Sequence, residues 1–464
     1  MPLLAISTVN ALGDLGMGGG KLHETSDQRQ TTAPLTALSA TVMAPDQLPL
    51  LMQRAFDLFS VGRARPAHLA IPLDLLEQPA AQRAGRGWRA PLRPPAPRPE
   101  QVAEAAARIG AARRAIMIVG GGAVGAGAAL AAFVERTRVP VVSTIAGKGI
   151  LPDAHPLSLG STLQRPEVRA IVEEADLVIV VGSELAEPDL YVTADAELAA
   201  AGDASAIRAG ELAVRGEVVR IDVDPTVLRL APQADVPILG DAALALEMLT
   251  DALPASTNAS EALDAAAIAA LRKRMRARTS PLEAKQIAVL DAIRQALPAD
   301  GFVAADMTQL AYTGCVHFPC DRPRSWLFPM GYGTMGYALP AAIGAALATP
   351  GRPGVAIVGD GGLLFTAQEL ATAVELELPL AIVLWNNDGL SEIRDFMLAR
   401  GISPVAVAPR NPDFPALARA FGCDTEQPAS LAAVGRAISA AFEKRRPTLI
   451  EIREDAPFLA ELRA

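Results

Sequence analysis

A chain of 464 residues has room for about three domains, and 51% hydrophobic residues supply ample material for packed cores. Lysine plus arginine total 42 against 51 acidic residues, a net charge of −9, and no basic stripe interleaved with aromatics exists, which argues against a nucleic-acid partner. Three cysteines, Cys315, Cys320 and Cys423, make no paired framework, and Cys315 and Cys320 near His317 lack a second ligand pair for zinc, so a reduced cytoplasm is the expected compartment.

In chain order, the segment from Met1 to Trp88 opens on PLLAIST, which reads as a core strand. It continues through GKLHETSDQRQ, a helix-like stretch from Asp46 to Val61, and HLAIPLDLL, a second strand candidate. No basic segment precedes an apolar stretch, so no secretory signal is expected. RAPLRPPAPRP, Arg89 to Pro99, is too rich in proline for helix or strand and reads as a stiff linker.

From Glu100 to Leu253 strands and helices alternate, with AIMIVGG, VPVVST, DLVIVVGS and VVRIDVDP as strand candidates, a Rossmann-type pattern. Gly120 to Gly125 satisfies GxGxxG, but the second strand ends in Ser143-Thr144 with no acid for a ribose, so no nicotinamide site is expected. The run Ala115 to Val134 is long enough to raise a membrane span, yet the five glycines in its centre favour strand, turn and helix, and no membrane partner is expected. Between Pro254 and Pro281 a stretch rich in alanine, arginine and acids reads as a connecting surface helix whose charges form a solvated face.

The last segment, Leu282 to the end, carries three stretches of interest. Ala305-Asp-Met-Thr-Gln309 follows a strand, and Gly331-Tyr-Gly-Thr-Met-Gly-Tyr-Ala-Leu-Pro-Ala-Ala-Ile-Gly344 is a glycine-rich turn entering a small-residue helix. In the third, Gly354 to Gly389, two apolar runs end at Gly359-Asp-Gly-Gly362 and at Asn386-Asn-Asp-Gly389. Thr366 and Glu369 have capping-box spacing for the helix between them. Two strands joined by such a helix lie parallel, so Asp360 and Asn387 emerge at one carboxyl edge, where open α/β sheets bind ligands. A carboxylate, an amide oxygen and a turn carbonyl are hard donors suited to magnesium or calcium. Glycines at a helix start admit an anion, so a metal-bridged diphosphate is the expected guest.

GDG followed at this spacing by NN resembles the thiamine-diphosphate (ThDP) motif of the acetolactate synthase and 2-oxo acid decarboxylase superfamily. The resemblance implies an α/β fold of three domains with parallel sheets flanked by helices: a pyrimidine-binding domain over 1–88, a linker over 89–99, a central domain over 100–253, a connector over 254–281 and a diphosphate-binding domain over 282–464. It implies Mg²⁺ held by Asp360, Asn387 and the Gly389 carbonyl, and the diphosphate on Gly361 and Gly362 with polar contacts from Thr308 and Gln309. Met335 would wedge the cofactor into a V and the Gly333 backbone would bond its aminopyrimidine. The central domain binds FAD in some members and nothing in most, and no FAD is expected here. Sites of this family lie between subunits, which implies a homodimer or homotetramer.

In the same family a run like PLLAIS is normally preceded by a stretch carrying the glutamate that activates the cofactor. No residue of this sequence matches it, so the first domain reads as incomplete. Acetolactate synthases carry a methionine and a tryptophan where this chain has Glu392 and Phe396. A carboxylate there suits a cationic substrate tail or a proton relay, although Glu392 could simply pair with Arg394 or solvent. GKLHETSDQR, NNDGLSEIRDFM and IREDAPFL are most similar to the 5-guanidino-2-oxopentanoate (2-oxoarginine) decarboxylase branch, and Glu24 and Asp27 would add negative charge if their loop reaches a pocket. The expected function is ThDP- and Mg²⁺-dependent decarboxylation of a small 2-oxo acid, a basic one by this branch. An acetolactate synthase-like carboligase and a non-catalytic ThDP-binding homologue are the alternatives.

Overall fold

The computed structural model describes residues 1–79, 89–192, 208–209, 212–254 and 263–460. They divide into two units, one formed by Met1–Arg98 with Asp222–Leu228 and Leu239–Asp241, the other by the remainder.

In the first unit, β1 (Leu4–Val9), β2 (Leu38–Thr41) and β3 (Ala67–Pro72) form a parallel sheet in the order β1-β3-β2. The apolar strand β3 is central, with Leu69 and Ala70 fully buried. The run PLLAIST, expected in the core, is instead an edge strand with Ile6 55% exposed. HLAIPLDLL is a strand only as far as Pro72, and Leu73–Leu76 turns into a short helix, as the locked φ and missing N–H of a proline allow. A helix over Leu48–Val61 follows a 3-10 turn at Pro45–Gln47. Asp27 caps the helix Gln28–Thr32 by accepting from the Gln30 amide at 3.0 Å, and Glu24 ties its loop by accepting from the amides of Gly19 and Lys21. Both acids therefore have local structural work.

The second unit holds two parallel sheets. β4 (Ala115–Val119), β5 (Val141–Ser143), β6 (Leu177–Val181), β9 (Glu217–Asp222) and β10 (Val236–Leu239) are arranged β10-β9-β6-β4-β5, and the short antiparallel pair β7 (Tyr191–Val192) and β8 (Arg208–Ala209) stands apart. The four strands expected in this segment are all present. After β4 the chain forms a 3-10 turn and the helix Gly127–Thr137, and among the described residues no helix is long and apolar enough to cross a membrane. Gly120 and Gly122 of GGGAVG are required by main-chain packing. A Cβ on Gly120 would lie 2.4 Å from the Gly182 carbonyl oxygen, and one on Gly122 2.9 Å from the Gly182 Cα.

The second sheet has the order β12-β11-β13-β14-β16-β15, from β11 (Phe302–Ala305), β12 (Trp326–Leu327), β13 (Gly354–Gly359), β14 (Leu380–Asn386), β15 (Asp424–Glu426) and β16 (Thr448–Arg453). Every paired register is parallel, and β13 and β14 are buried throughout, as apolar strands covered by helices on both faces require. The expected capping box is absent. A helix starts at Asp360 itself and ends at Thr366, whose hydroxyl is buried without a partner, and a second helix begins at Glu369 behind Gln368.

Of the expected connector, residues 255–262 lie outside the described residues, and Ala265–Ala277 is a helix that buries Ile268, Leu271 and Met275. Its charges do not all face solvent, since Arg272 donates to the carbonyls of Asp153 and Ser158. Buried polar contacts join the two sheets of this unit. The Lys148 Nζ donates to the Ser161 hydroxyl at 2.7 Å and to the Cys315 carbonyl at 3.2 Å, and Arg165, Glu283 and His317 form one cluster. Burial pushes the Cys315 thiol up to about 12 and the Cys320 thiol to about 11.

Candidate functional site

Because β13 and β14 are adjacent and parallel, with Gly359 opposite Trp385, the two polar turns that follow them meet. Asp360, 3% exposed, is their centre. Its Oδ1 accepts from the Gly361 amide, and its Oδ2 accepts from the Gly389 amide and from Asn411 Nδ2, each at 2.8 Å. Asn411 also donates to Asn386 Oδ1 at 3.2 Å, and a flipped amide would set its oxygen against two acceptors. Its own Oδ1 is buried without a partner.

The NNDG turn is shaped by positive φ at Asp388 (57°) and Gly389 (147°), and a Cβ on Gly389 would lie 2.5 Å from the Val407 carbonyl oxygen. The segment after β16 clasps this turn. Arg453 donates to Asp388 Oδ2 at 2.6 Å, the Glu454 amide donates to the Asn386 carbonyl at 3.0 Å, and the Glu454 carboxylate accepts from Trp385 Nε1 at 3.2 Å. Glu454 also bonds the Asn387 side chain, and burial raises its pKa against these contacts. Asn387 Nδ2 donates to Gln309 Oε1 at 3.1 Å. With its amide nitrogen given to Gln309, Asn387 has an oxygen that could serve a cation.

The donor set fits a hard divalent cation: one carboxylate with a lone pair spare on Oδ1, the Asn387 oxygen, the turn containing Gly389 and the orphaned oxygen of Asn411. Among the described residues no group of three or more His, Cys, Asp or Glu could hold a metal, so amide and main-chain oxygens are needed to complete a ligand set.

Met335 packs against Gly361, the first glycine after Asp360, and Asp306 against Gly362, the second. A Cβ on Gly361 would lie 3.1 Å from Met335 Cε and 2.9 Å from Leu390 Cδ2, and one on Gly362 would lie 3.0 Å from Asp306 Oδ2. Asp306 holds the GYGTMG turn by accepting from the Gly336 amide at 3.0 Å and from its own neighbour Met307 at 2.8 Å. Burial raises its pKa, opposed by the backbone amides of Met307, Ala338, Gly336 and Tyr337. Gly333 (φ +60°) stands over Met307, with Cε 3.1 Å from where a Cβ would be. Thr308 is buried, with its hydroxyl 3.0 Å from the Cβ position of Gly359. Gln309 opens the helix Gln309–His317 and donates from Nε2 to Glu392 Oε2 at 3.0 Å, so the exposed Glu392 pairs with neither Arg394 nor solvent alone.

The structure thus joins Asp360 to Gly389, Asn387 to Gln309 to Glu392, and Met335 to Gly361. Sequence reasoning missed Asn411, Glu454 and Arg453 as supports. The NPDF and IRED patterns were visible, but their partners lie 51 and 65 or more residues away.

Residues 306–452 match the family description "Thiamine pyrophosphate enzyme, C-terminal TPP binding domain", and residues 102–249 match "Thiamine pyrophosphate enzyme, central domain". The chain is 47% identical over 462 residues to the "Probable 2-ketoarginine decarboxylase AruI" of Pseudomonas aeruginosa, covering 98% of this chain and 78% of that one. It is 29% identical over 458 residues to the acetolactate synthase isozyme 1 large subunit of Escherichia coli, covering 95% and 76%. The benzoylformate decarboxylase of Polynucleobacter necessarius has the same fold, with a TM-score of 0.77 at 19% identity over 98% of this chain and 82% of that structure.

Proposed function

The chain belongs to the thiamine pyrophosphate enzymes, and from that premise we propose that it is a ThDP- and Mg²⁺-dependent non-oxidative decarboxylase of a basic 2-oxo acid, of the class of 5-guanidino-2-oxopentanoate. When bound, ThDP supplies a nucleophilic carbon for the 2-oxo group and a positively charged ring that takes up the electrons released with CO₂. Asp360, Asn387 and Gly389 would hold the Mg²⁺, Gly361 and Gly362 would face the diphosphate, and Met335 and Gly333 would set the cofactor's shape, so the chain's own contribution is position.

The observation that carries the substrate class is the Glu392 carboxylate, one turn beyond the cation ligands and tied to Asn387 through Gln309. A fixed negative charge beside the site favours a cationic tail, and a hydrogen bond to a charged group contributes roughly 1.5–3 kcal/mol. The similarity to a 2-ketoarginine decarboxylase supports the same class. A homodimer or homotetramer acting in the cytoplasm, without FAD, completes the reading.

The test is CO₂ release from 5-guanidino-2-oxopentanoate, 2-oxohexanoate and pyruvate with ThDP and Mg²⁺, repeated after chelation. The expected result is a preference of at least tenfold in kcat/KM for the guanidino acid, lost with EDTA. Acetolactate from pyruvate as the main product would identify a carboligase, and ThDP binding without CO₂ from any acid would identify a non-catalytic homologue.

A further inference from the structure

We infer that Asn411 meets the bound cation through one of the cation's waters, and that the buried carboxylate of Glu451 is a positioning group that sets the amide direction this requires. The inference rests on the reading above, in which Asp360 holds the cation.

The direction of the relay is decided at its far end. Glu451, on β16 and 8% exposed, accepts at both carboxylate oxygens, from Asn386 Nδ2 and from Gln427 Nε2, each at 2.7 Å. Asn386 must therefore turn its oxygen the other way, where it accepts from the Asp388 amide at 3.1 Å and from Asn411 Nδ2 at 3.2 Å. A flipped Asn386 would set its oxygen against a carboxylate and its NH₂ against two donors. Asn411 is left with one orientation. Its nitrogen is shared between Asn386 and Asp360 Oδ2, the latter at 2.8 Å, and its Oδ1 is buried with no partner among the described residues.

The place of Asn411 is set by its own segment. The Val407 carbonyl accepts from the Leu390 amide at 2.8 Å, which lays this stretch against the NNDG turn. Phe414, 1% exposed, opens the helix that follows, and Asp413 caps that helix by accepting from the Ala416 amide at 2.8 Å. An unsatisfied buried acceptor is costly, and the relay denies Asn411 the flip that would relieve it. A donor that arrives with the ligand answers this. Magnesium dehydrates reluctantly and keeps several of its waters, and those waters are strong donors. Because the Asn411 nitrogen occupies Asp360 Oδ2, the cation takes the spare lone pair of Oδ1, and a water bridges from the ion to Asn411 Oδ1.

The experiment uses the full chain with ThDP and graded Mg²⁺ or Mn²⁺. Calorimetry gives the cation concentration for half-maximal ThDP binding, thermal melts give the stability of the cofactor-free protein, and pulsed electron paramagnetic resonance in D₂O counts exchangeable waters on bound Mn²⁺. Wild type should need the cation and keep water on it. Asn411→Leu should raise the Mg²⁺ requirement roughly tenfold, the effect of one hydrogen bond involving a charged group. Asn411→Asp also loses the donor to Asp360, sets two carboxylates side by side and should melt no higher than Asn411→Leu, yet it should need less Mg²⁺ because an oxygen faces the ion again. A purely structural role predicts equal Mg²⁺ requirements for the two, and that result would overturn the proposal. Glu451→Met should raise the requirement as Asn411→Leu does and add nothing on top of it, the non-additivity of residues acting through one contact. Glu451→Gln keeps an acceptor for Asn386 and should stay within about three-fold of wild type. Should Glu451→Met fail to fold, the two Asn411 variants decide. ThDP binding by wild type without any cation would overturn the cation reading and this proposal together. A cation requirement that Asn411→Leu leaves unchanged, or bound Mn²⁺ carrying no water, would overturn the proposal alone.

Discussion

Asp360→Asn separates two roles of one carboxylate. Asp360 accepts three hydrogen bonds, from Gly361, Gly389 and Asn411, each at 2.8 Å, and is 3% exposed. An asparagine has one acceptor atom, so at best it keeps the two bonds now made to Oδ2, and its NH₂ then opposes the Gly361 N–H out of reach of water. An unsatisfied buried pair of this kind costs about 1–3 kcal/mol. A loss of 1 kcal/mol shifts Tm by roughly 2–4 °C in a domain of 150–250 residues, so the variant without cofactor should melt roughly 2–12 °C lower. The second role, proposed above, is to supply the cation with its carboxylate. Removing one partner of a buried charge pair costs about 3–5 kcal/mol, and even its lower bound exceeds 100-fold in affinity. Calorimetric titration of ThDP at fixed Mg²⁺, beside thermal melts of the cofactor-free protein, reads the two roles independently. ThDP affinity within three-fold of wild type would refute the cation assignment. If Tm nevertheless falls, the carboxylate serves only to hold the NNDG turn.

Other outcomes follow from neighbouring residues. Asp189 is buried, with one hydrogen bond from the Ile145 amide at 2.8 Å, and burial raises its pKa from 3.8 to about 6. That rise of about 2 units corresponds to roughly 3 kcal/mol. The folded state then binds more protons than the unfolded one between these values, so stability falls as pH rises through about 4–6. Asp189→Asn should therefore gain stability over wild type at pH 7 and not at pH 4, and melts showing a pH-independent difference would disprove it. Met335→Ala should leave ThDP affinity within a few-fold while slowing hydrogen–deuterium exchange at C2 of the bound cofactor, followed by NMR; unchanged exchange would reduce Met335 to packing against Gly361. Arg453→Leu frees Asp388 and should raise the Mg²⁺ concentration needed for half-maximal ThDP binding several-fold, with partial recovery in Arg453→Lys; an unaltered Mg²⁺ requirement would show that the clasp is dispensable.

The parts of this molecule legible in its sequence are those governed by local rules. Buried parallel strands are continuous apolar runs, so β13 and β14 could be delimited by GDGG and NNDG, and the rule that a strand, helix and strand wind parallel brought Asp360 and Asn387 to one edge before any coordinates. Local rules also misled where two competed. The Thr366 and Glu369 spacing imitates a capping box, but the chain turns helical at once after Gly359, and Thr366 closes that helix instead of opening the next. PLLAIST has the composition of a core strand, yet burial of an edge strand is decided by its neighbours.

What the sequence left open is the return of distant polar groups to the site. Gln309 and Glu392 are 83 residues apart and Asn411 and Asp360 are 51 apart, and no periodicity records which amide comes back to which carboxylate. Asp306 is harder still, because it is bonded to the Gly336 amide that ends the GYGTMG turn, and a main-chain donor leaves no trace in residue identity. These supports share one physical character. Each is hydrogen-bonded to a residue read as a ligand or to that residue's neighbour, so orientation is fixed before any cofactor arrives. The NNDG turn, proposed above as the cation site, is held by Asp360 just after β13, by Gln309 from the helix after β11 and by Arg453 and Glu454 from the end of β16. A displacement of any one of these elements would therefore reach Asn387 through a single hydrogen bond or a single turn, so on the proposed reading it should register as a change in cofactor affinity.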